Sequence, residues 1–170
     1  MNPRPFQRRF STMRTSRVLA PLSIAALAIA VSVGTVLATA GSGAVGTIVG
    51  RGTLDARVHG EFSGLDLIVR KDIDVVTQSI TIAPGGHTGW HRHSGPAIVT
   101  ITAGTLTLYR ANDRHCMGHS FTVGDTFVDE GRMTHIGRNE GSVAMTLTVT
   151  YLVPVGADIR LDQPDPATGC

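Results

Sequence analysis

The chain has few cysteines, few aromatic residues and little charge for its 170 residues. Only two residues are cysteine, 5% are aromatic and 16% are charged, while 42% are hydrophobic. Two cysteines exclude a small scaffold held together by several disulfides, and the hydrophobic content excludes a disordered chain. The low charge, with 20 glycines and 8 prolines, favours a turn-rich fold. The length fits a single domain.

Lysine is nearly absent, and acidic residues are absent from the first 40 positions. Lys71 is the only lysine, and five arginines precede residue 40. The other ten basic residues stand against all 13 acidic residues, so the chain after residue 40 carries a net charge of −3. A nucleic-acid-binding domain needs basic residues clustered on its folded surface, and this sequence has no such cluster there. Nucleic acid is therefore excluded as a partner.

An uncharged run over residues 18–50 follows the five arginines. Its most apolar part ends at Ala38-Thr39-Ala40, small residues of the kind that precede a cleavage site. The sequence predicts that residues 1–40 are either a signal peptide or an uncleaved membrane-anchor helix, and both interpretations stay open. Either one predicts an exported domain, secreted or anchored on the extracytoplasmic side. Contact with the membrane is expected only through this segment.

After the apolar run, the sequence predicts one all-β domain. Residues 41–52 are small and rich in glycine, which predicts a linker, and a folded domain is expected over residues 53–161 with a C-terminal tail over 162–170. Apolar and polar residues alternate with the period of a strand, most clearly over residues 143–151. About eight short strands with turn signals between them predict a sandwich or a small barrel.

Two histidines carry the clearest chemical signal. His91 and His93 are separated by one residue, so in a strand both imidazoles project from the same face. That spacing suits two ligands of one metal ion. His135 can join them from a second strand if the sheet closes.

The surroundings of these histidines resemble the two motifs of the cupin superfamily. Gly85 is followed by five residues and then by His91-Arg92-His93, and Gly104 closes the first motif. The second motif is matched by Gly124, Gly131, His135 and Asn139. The resemblance covers residues 72–151 and implies a single-domain double-stranded β-helix barrel of the jelly-roll type.

The resemblance also implies a divalent metal ion held by His91, His93 and His135. The sequence departs from the family at two places: Ala97 (or Ile98) stands where cupins have a glutamate ligand, and Asp129-Glu130-Gly131 stands where they have a Pro-x-Gly turn. Three imidazoles without a carboxylate leave coordination positions open and keep the full charge of the ion, which favours an anionic ligand. Zinc, iron, manganese and nickel all accept histidine ligands, as does copper, so the metal is not identified.

The expected function is metal-dependent binding of a small organic ligand inside the barrel. The alternative is a metal-dependent oxidoreductase, dioxygenase-like, acting on a small organic substrate, although no acid or base stands out beside the motifs. A homodimer is left open. Additional pocket residues are expected to be His87, Gln78 and Trp90, and the apolar lining is expected to be Val99, Ile101, Met145 and Leu147.

Both cysteines lie in the part of the chain that is expected to be exported. A disulfide between Cys116 and Cys170 is predicted to tie the C-terminal tail to the loop around residue 116, with two free thiols as the alternative. His115 and His119 flank Cys116, which allows a Cys/His metal cluster, but a surface loop is the favoured interpretation.

Overall fold

A computed structural model of the protein describes residues 38–55 and 57–166. These ranges contain β-strands and no helix, so none of the described residues forms a helix that could cross a membrane. The strands are β1 (Ser42–Leu54), β2 (Val58–Phe62), β3 (Leu65–Val69), β4 (Ile73–His87), β5 (His91–Arg92), β6 (Ala97–Ala103), β7 (Thr105–Arg110), β8 (His119–Thr122), β9 (Thr126–Asp129), β10 (His135–Arg138), β11 (Met145–Pro154) and β12 (Leu161–Asp162). The expected signal or anchor segment lies outside the described residues except for its last three positions.

Ten of the strands form one antiparallel sheet, and β2 and β3 form a separate hairpin. Neighbouring strands follow the order β9-β6-β11-β4-β10-β7-β8, with β1 on β4, β5 on β10 and β12 on β5. Phe121 in β8 and Phe127 in β9 stack with their ring centroids 4.2 Å apart, so the two ends of this path meet. The sheet therefore curls into a nearly closed barrel, and the prediction of an all-β jelly-roll fold is confirmed.

Strand β11 crosses the centre of the barrel wall and supplies much of its core. Burial alternates along the strand, so every second side chain points inward, as the period-two pattern predicts. Val143, which the pattern also included, precedes the strand and is exposed. The inward-facing residues are Met145, Leu147, Val149, Tyr151 and Val153. Burial of each apolar side chain of this size contributes about 1.5–3 kcal/mol.

Strand β1 corrects the prediction of a linker over residues 41–52. It pairs antiparallel with β4 from Ala44 opposite Ile82 to Leu54 opposite Ile73. Valine, threonine and isoleucine, which favour extended backbone, stand between its glycines, and the ladder to β4 outweighs the glycine penalty. The barrel therefore begins with β1, before the predicted start at residue 53.

Asp74 in β4 fastens β1 to the turn after β11. Its carboxylate accepts hydrogen bonds from Arg51 Nη2 at 2.6 Å, Thr53 Oγ1 at 2.9 Å and the Gly156 backbone N–H at 2.9 Å. The Gly156 N–H, then Arg51 and Thr53, lower the pKa of Asp74 to about 2. The group is therefore ionised, and it holds three segments distant in sequence.

The C-terminal segment packs back on the barrel rather than forming a tail from residue 162. Strand β12 pairs with β5, the Thr39 N–H donates to the Gln163 carbonyl at 2.9 Å, and Ala38 bridges to Pro164. Residues 167–170 lie outside the described ranges. The disulfide between Cys116 and Cys170 therefore stays a prediction.

Candidate metal centre

Three buried histidines meet at one end of the barrel interior. His91 in β5 and His135 in β10 are direct partners across the ladder, and His93 follows β5. Their ring centroids lie 4.4–5.1 Å apart, and one ligand atom from each lies within 4.8 Å of the other two. The alternation of β5 turns His91 and His93 inward, while Arg92 between them is exposed. The structure thus brings together the three residues that the motifs singled out.

Hydrogen bonds to backbone oxygens orient all three rings in the same way. A carbonyl oxygen can only accept, so each Nδ1 carries the ring proton and each Nε2 keeps its lone pair for a ligand bond. Metal-binding histidines are usually held by such a bond from the other ring nitrogen. The pairs are His91 Nδ1 with Gly89 O at 2.8 Å, His93 Nδ1 with Ile159 O at 2.6 Å, and His135 Nδ1 with Met133 O at 2.9 Å.

Burial keeps two of these imidazoles neutral. Desolvation, followed by the nearby charge of His135, lowers the pKa of His91 to about 2 and that of His93 to about 4. A metal ion binds only the neutral imidazole. At neutral pH these two rings therefore need not lose a proton before they can coordinate an ion.

A carboxylate that sequence analysis did not assign to the site lies behind His135. Asp129 Oδ2 is 3.0 Å from His135 Nδ1, and Asp129 Oδ1 accepts the Gly131 N–H at 2.5 Å. Burial alone would raise the pKa of Asp129, but the hydrogen bond from His135, its charge and the Gly131 N–H lower it to about 2. The candidate ligands are three histidines without a carboxylate, as expected, but a carboxylate lies directly behind one of them.

Asp129 lies across the β6–β9 ladder from the position of the missing glutamate. Ala97 is fully buried in the apolar core and lies directly opposite Asp129 in the β6–β9 ladder. Directly opposed residues of a ladder project to the same side, so the carboxylate enters the barrel one strand away from the position where cupins place glutamate. The sequence signal was the acidic pair that replaces the Pro-x-Gly turn before His135.

An apolar cavity of about 50 Å³ lies against the histidines. Val99 and Leu147 line it as predicted, whereas Ile101 and Met145 are buried in the core and are not among its lining residues. About 10–15 Å³ of this kind of space is enough to hold one water molecule, so the cavity has room for only a few water-sized groups. Any larger ligand must extend beyond it.

The other residues that sequence analysis considered for the site lie outside the histidine cluster. His87 Nδ1 accepts the Gly89 N–H at 3.1 Å, and His87 is not part of the histidine cluster. Gln78 Oε1 accepts the Tyr151 hydroxyl at 3.0 Å beside the cavity, and Trp90 is buried without lining it. Within residues 38–55 and 57–166, the three histidines are the only group suited to a metal, so the loop around Cys116 forms no Cys/His cluster there.

Asn139 in the second motif has a structural role. It is 1% exposed, and its side-chain amide donates to the carbonyls of Ile82 and Val143, both at 2.8 Å. Its Oδ1 accepts the Gly141 N–H at 3.1 Å. The residue therefore ties β4 to the loop that leads into β11, next to the strand that carries His135.

Comparisons with known proteins agree with this architecture. A family model described as a cupin domain matches residues 78–151. No curated protein matches the chain. Among solved structures, a cupin domain from Bordetella pertussis Tohama I is 21% identical, with 65% of this chain and 93% of that chain covered and a TM-score of 0.44.

Two further solved structures match a smaller share of this chain. A conserved protein with a double-stranded β-helix domain from Klebsiella pneumoniae is 17% identical, with 52% of this chain and 73% of that chain covered and a TM-score of 0.44. Oxalate oxidase in complex with the substrate analogue glycolate is 23% identical, with 45% and 41% covered and a TM-score of 0.39. The family match assigns residues 78–151 to the cupin superfamily, and the two motifs and the barrel agree with that assignment.

Proposed function

We propose that the protein binds a divalent transition-metal ion through the Nε2 atoms of His91, His93 and His135. The observation that carries this proposal is the common orientation of the three rings, each donating from Nδ1 to a backbone carbonyl. Three buried imidazoles that converge on one point are the donor set that zinc, iron, manganese and nickel accept. The residues present therefore fit the ion.

Four side chains and the apolar cavity determine what the site can bind. His91, His93 and His135 hold the ion, Asp129 keeps the Nδ1 proton of His135 in place, and mostly apolar side chains line the cavity beside the histidines. The ion supplies Lewis acidity at the coordination positions that three protein ligands leave open. We infer that these positions take a small organic ligand, since the cavity holds only a few atoms.

Metal loading of single variants tests this proposal. The protein is stripped with chelator, loaded separately with zinc, iron(II), manganese and nickel, desalted and assayed for metal. We expect about one ion per chain for wild type and a loss of retained metal in His91→Ala and His135→Ala. His59→Ala, which removes an exposed histidine in β2, is the matched control and should retain metal. Wild type that retains none of these metals would contradict the proposal.

Catalysis and location are further parts of the proposal. The oxidoreductase alternative stays a prediction, and oxygen uptake by the iron- or manganese-loaded protein with small phenols or acids as substrates separates an enzyme from a binding protein.

The proposal that the protein is exported rests on the sequence of residues 1–40. Fractionation of cells that express the full chain, with N-terminal sequencing, distinguishes a cleaved signal from an anchor, and cytoplasmic protein with an intact N-terminus would refute both.

A further inference from the structure

A groove of about 580 Å³ leads from the protein surface to the histidine cluster. One wall is the inner face of β1, with Ala44, Gly46 and Ile48, and the opposite wall is the segment at residues 159–162. The groove and the apolar cavity share Ile80, Thr88, His91 and Tyr151 in their linings. The groove therefore opens onto the cluster. Both walls lie outside residues 78–151, the part that matches the cupin domain family.

Arg160 is the one arginine or lysine among the residues that line the groove. Its Nε donates to Asp162 Oδ1 at 2.6 Å, and its Nη2 donates to the Thr88 carbonyl at 2.7 Å. These two bonds fix the plane of the guanidinium. Its other N–H groups make no hydrogen bond to any described residue, and the side chain is 34% exposed. The guanidinium is thus held at the groove, and its remaining N–H groups can donate hydrogen bonds to a ligand.

We propose that the groove admits a small organic acid and that Arg160 binds its carboxylate, with the far end of the ligand directed to the histidine cluster. The inference rests on the proposed metal function and specifies its ligand class. A guanidinium recognises a carboxylate through two parallel N–H bonds, which fixes the orientation of the ligand as well as its charge.

Charge and shape both favour this ligand class. The positive charge of Arg160 acts on His91, His93 and Tyr151, whereas the carboxylate of Asp129 in the cavity lining acts on His93 and Tyr151 in the opposite sense. The positive charge is therefore concentrated on the groove side of the histidines. Asp162 occupies only the Nε side of the guanidinium. Ile48, Ile80 and Ile159 supply apolar surface for the hydrocarbon part of the ligand, and the groove is of the size that small-molecule sites have.

Matched pairs of ligands test the proposal on the zinc-loaded protein. Calorimetric titration compares acetate, lactate and benzoate with acetamide, lactamide and benzamide, which have nearly the same shape and no charge. In wild type each carboxylate should bind at least about tenfold more tightly than its amide. Arg160→Gln should remove that preference and leave amide binding unchanged. Arg92→Gln removes the same charge from an exposed neighbouring site and should behave as wild type.

Asp162→Asn is the second variant. It keeps a side-chain oxygen that can accept the Arg160 Nε N–H and so hold the guanidinium, but it removes the negative charge beside it, so carboxylate binding should become tighter. The proposal is overturned if no carboxylate binds more tightly than its amide, if Arg160→Gln binds carboxylates as wild type does, or if Asp162→Asn weakens them. Should Arg160→Gln fail to fold, as thermal unfolding would show, the ligand pairs and Asp162→Asn decide the matter.

Metal content measured on the same samples separates this inference from the proposed function. If wild type retains no metal but still prefers carboxylates, and the preference depends on Arg160, the metal proposal fails and the groove proposal stands. If wild type retains metal and shows no preference for carboxylates, the groove proposal fails and the metal proposal stands.

Discussion

The substitution Asp129→Asn replaces a carboxylate by an amide of nearly the same size, directly behind the proposed metal ligand His135. In wild type the Gly131 N–H binds Asp129 Oδ1 at 2.5 Å, and Oδ2 faces His135 Nδ1 at 3.0 Å. An amide has one oxygen, and Gly131 requires it, so the amide nitrogen would face His135 Nδ1. Two donors would then oppose each other, which favours transfer of the ring proton from Nδ1 to Nε2. A protonated Nε2 cannot bind a metal.

The expected loss is about 10–100-fold in metal affinity, the usual effect of removing the partner behind a ligating histidine. The Met133 carbonyl, 2.9 Å from Nδ1, still accepts the proton in its original place and limits the loss. Competition for zinc against a coloured chelator at neutral pH measures the affinity. Glu130→Gln removes the same charge from an exposed neighbour and should bind as wild type. Affinity within about twofold of wild type for Asp129→Asn would refute this account of the site.

Three further predictions concern stability. Burial lowers the pKa of His91 to about 2 and that of His93 to about 4 from 6.5, so the stability contributed by their neutral forms is complete above pH 6.5 and is lost as the pH falls. The unfolding free energy of metal-free protein in urea should therefore fall by about 2–3 kcal/mol between pH 7.5 and 5.5, and a flat profile would contradict this. Asn139→Ala leaves two carbonyls and one N–H without their partner and should cost about 3 kcal/mol in the same assay, whereas an unchanged midpoint would refute its structural role. The pKa of Asp74 falls from 3.8 to about 2, so the stability that its carboxylate contributes is complete above pH 3.8 and is lost toward pH 2. Wild type should therefore lose more stability over that pH range than Asp74→Asn. Parallel stability profiles of the two proteins would argue against a stabilising role for the hydrogen bonds to Asp74.

The features that sequence analysis predicted depend on short-range patterns. The alternation along β11 follows from the period of a strand, and the inward direction of His91 and His93 follows from the same period. His135 could be assigned through its motif, because the glycines and the asparagine around it have fixed structural places. These signals lie within a few residues of the groups that they position.

The features that sequence analysis missed depend on contacts between segments that are distant in the sequence. Glycine content alone predicted a linker over residues 41–52, but those residues gain their strand from the ladder to β4. Asp129 reaches His135 because β9 pairs with β6 opposite Ala97, a register that no local pattern reveals. Arg160 belongs to the site only because the C-terminal segment folds back across the barrel and bonds to Thr88.

The central claim is that one ion is held by three Nε2 atoms inside this barrel. Crystals of zinc-loaded protein, measured at the zinc absorption edge, test it most directly. The account predicts one strong anomalous peak, about 2.0–2.1 Å from Nε2 of His91, His93 and His135, with Asp129 bonded to Nδ1 of His135 and not to the ion. A peak at another place, coordination through Nδ1, or no peak between the histidines in loaded crystals would contradict it.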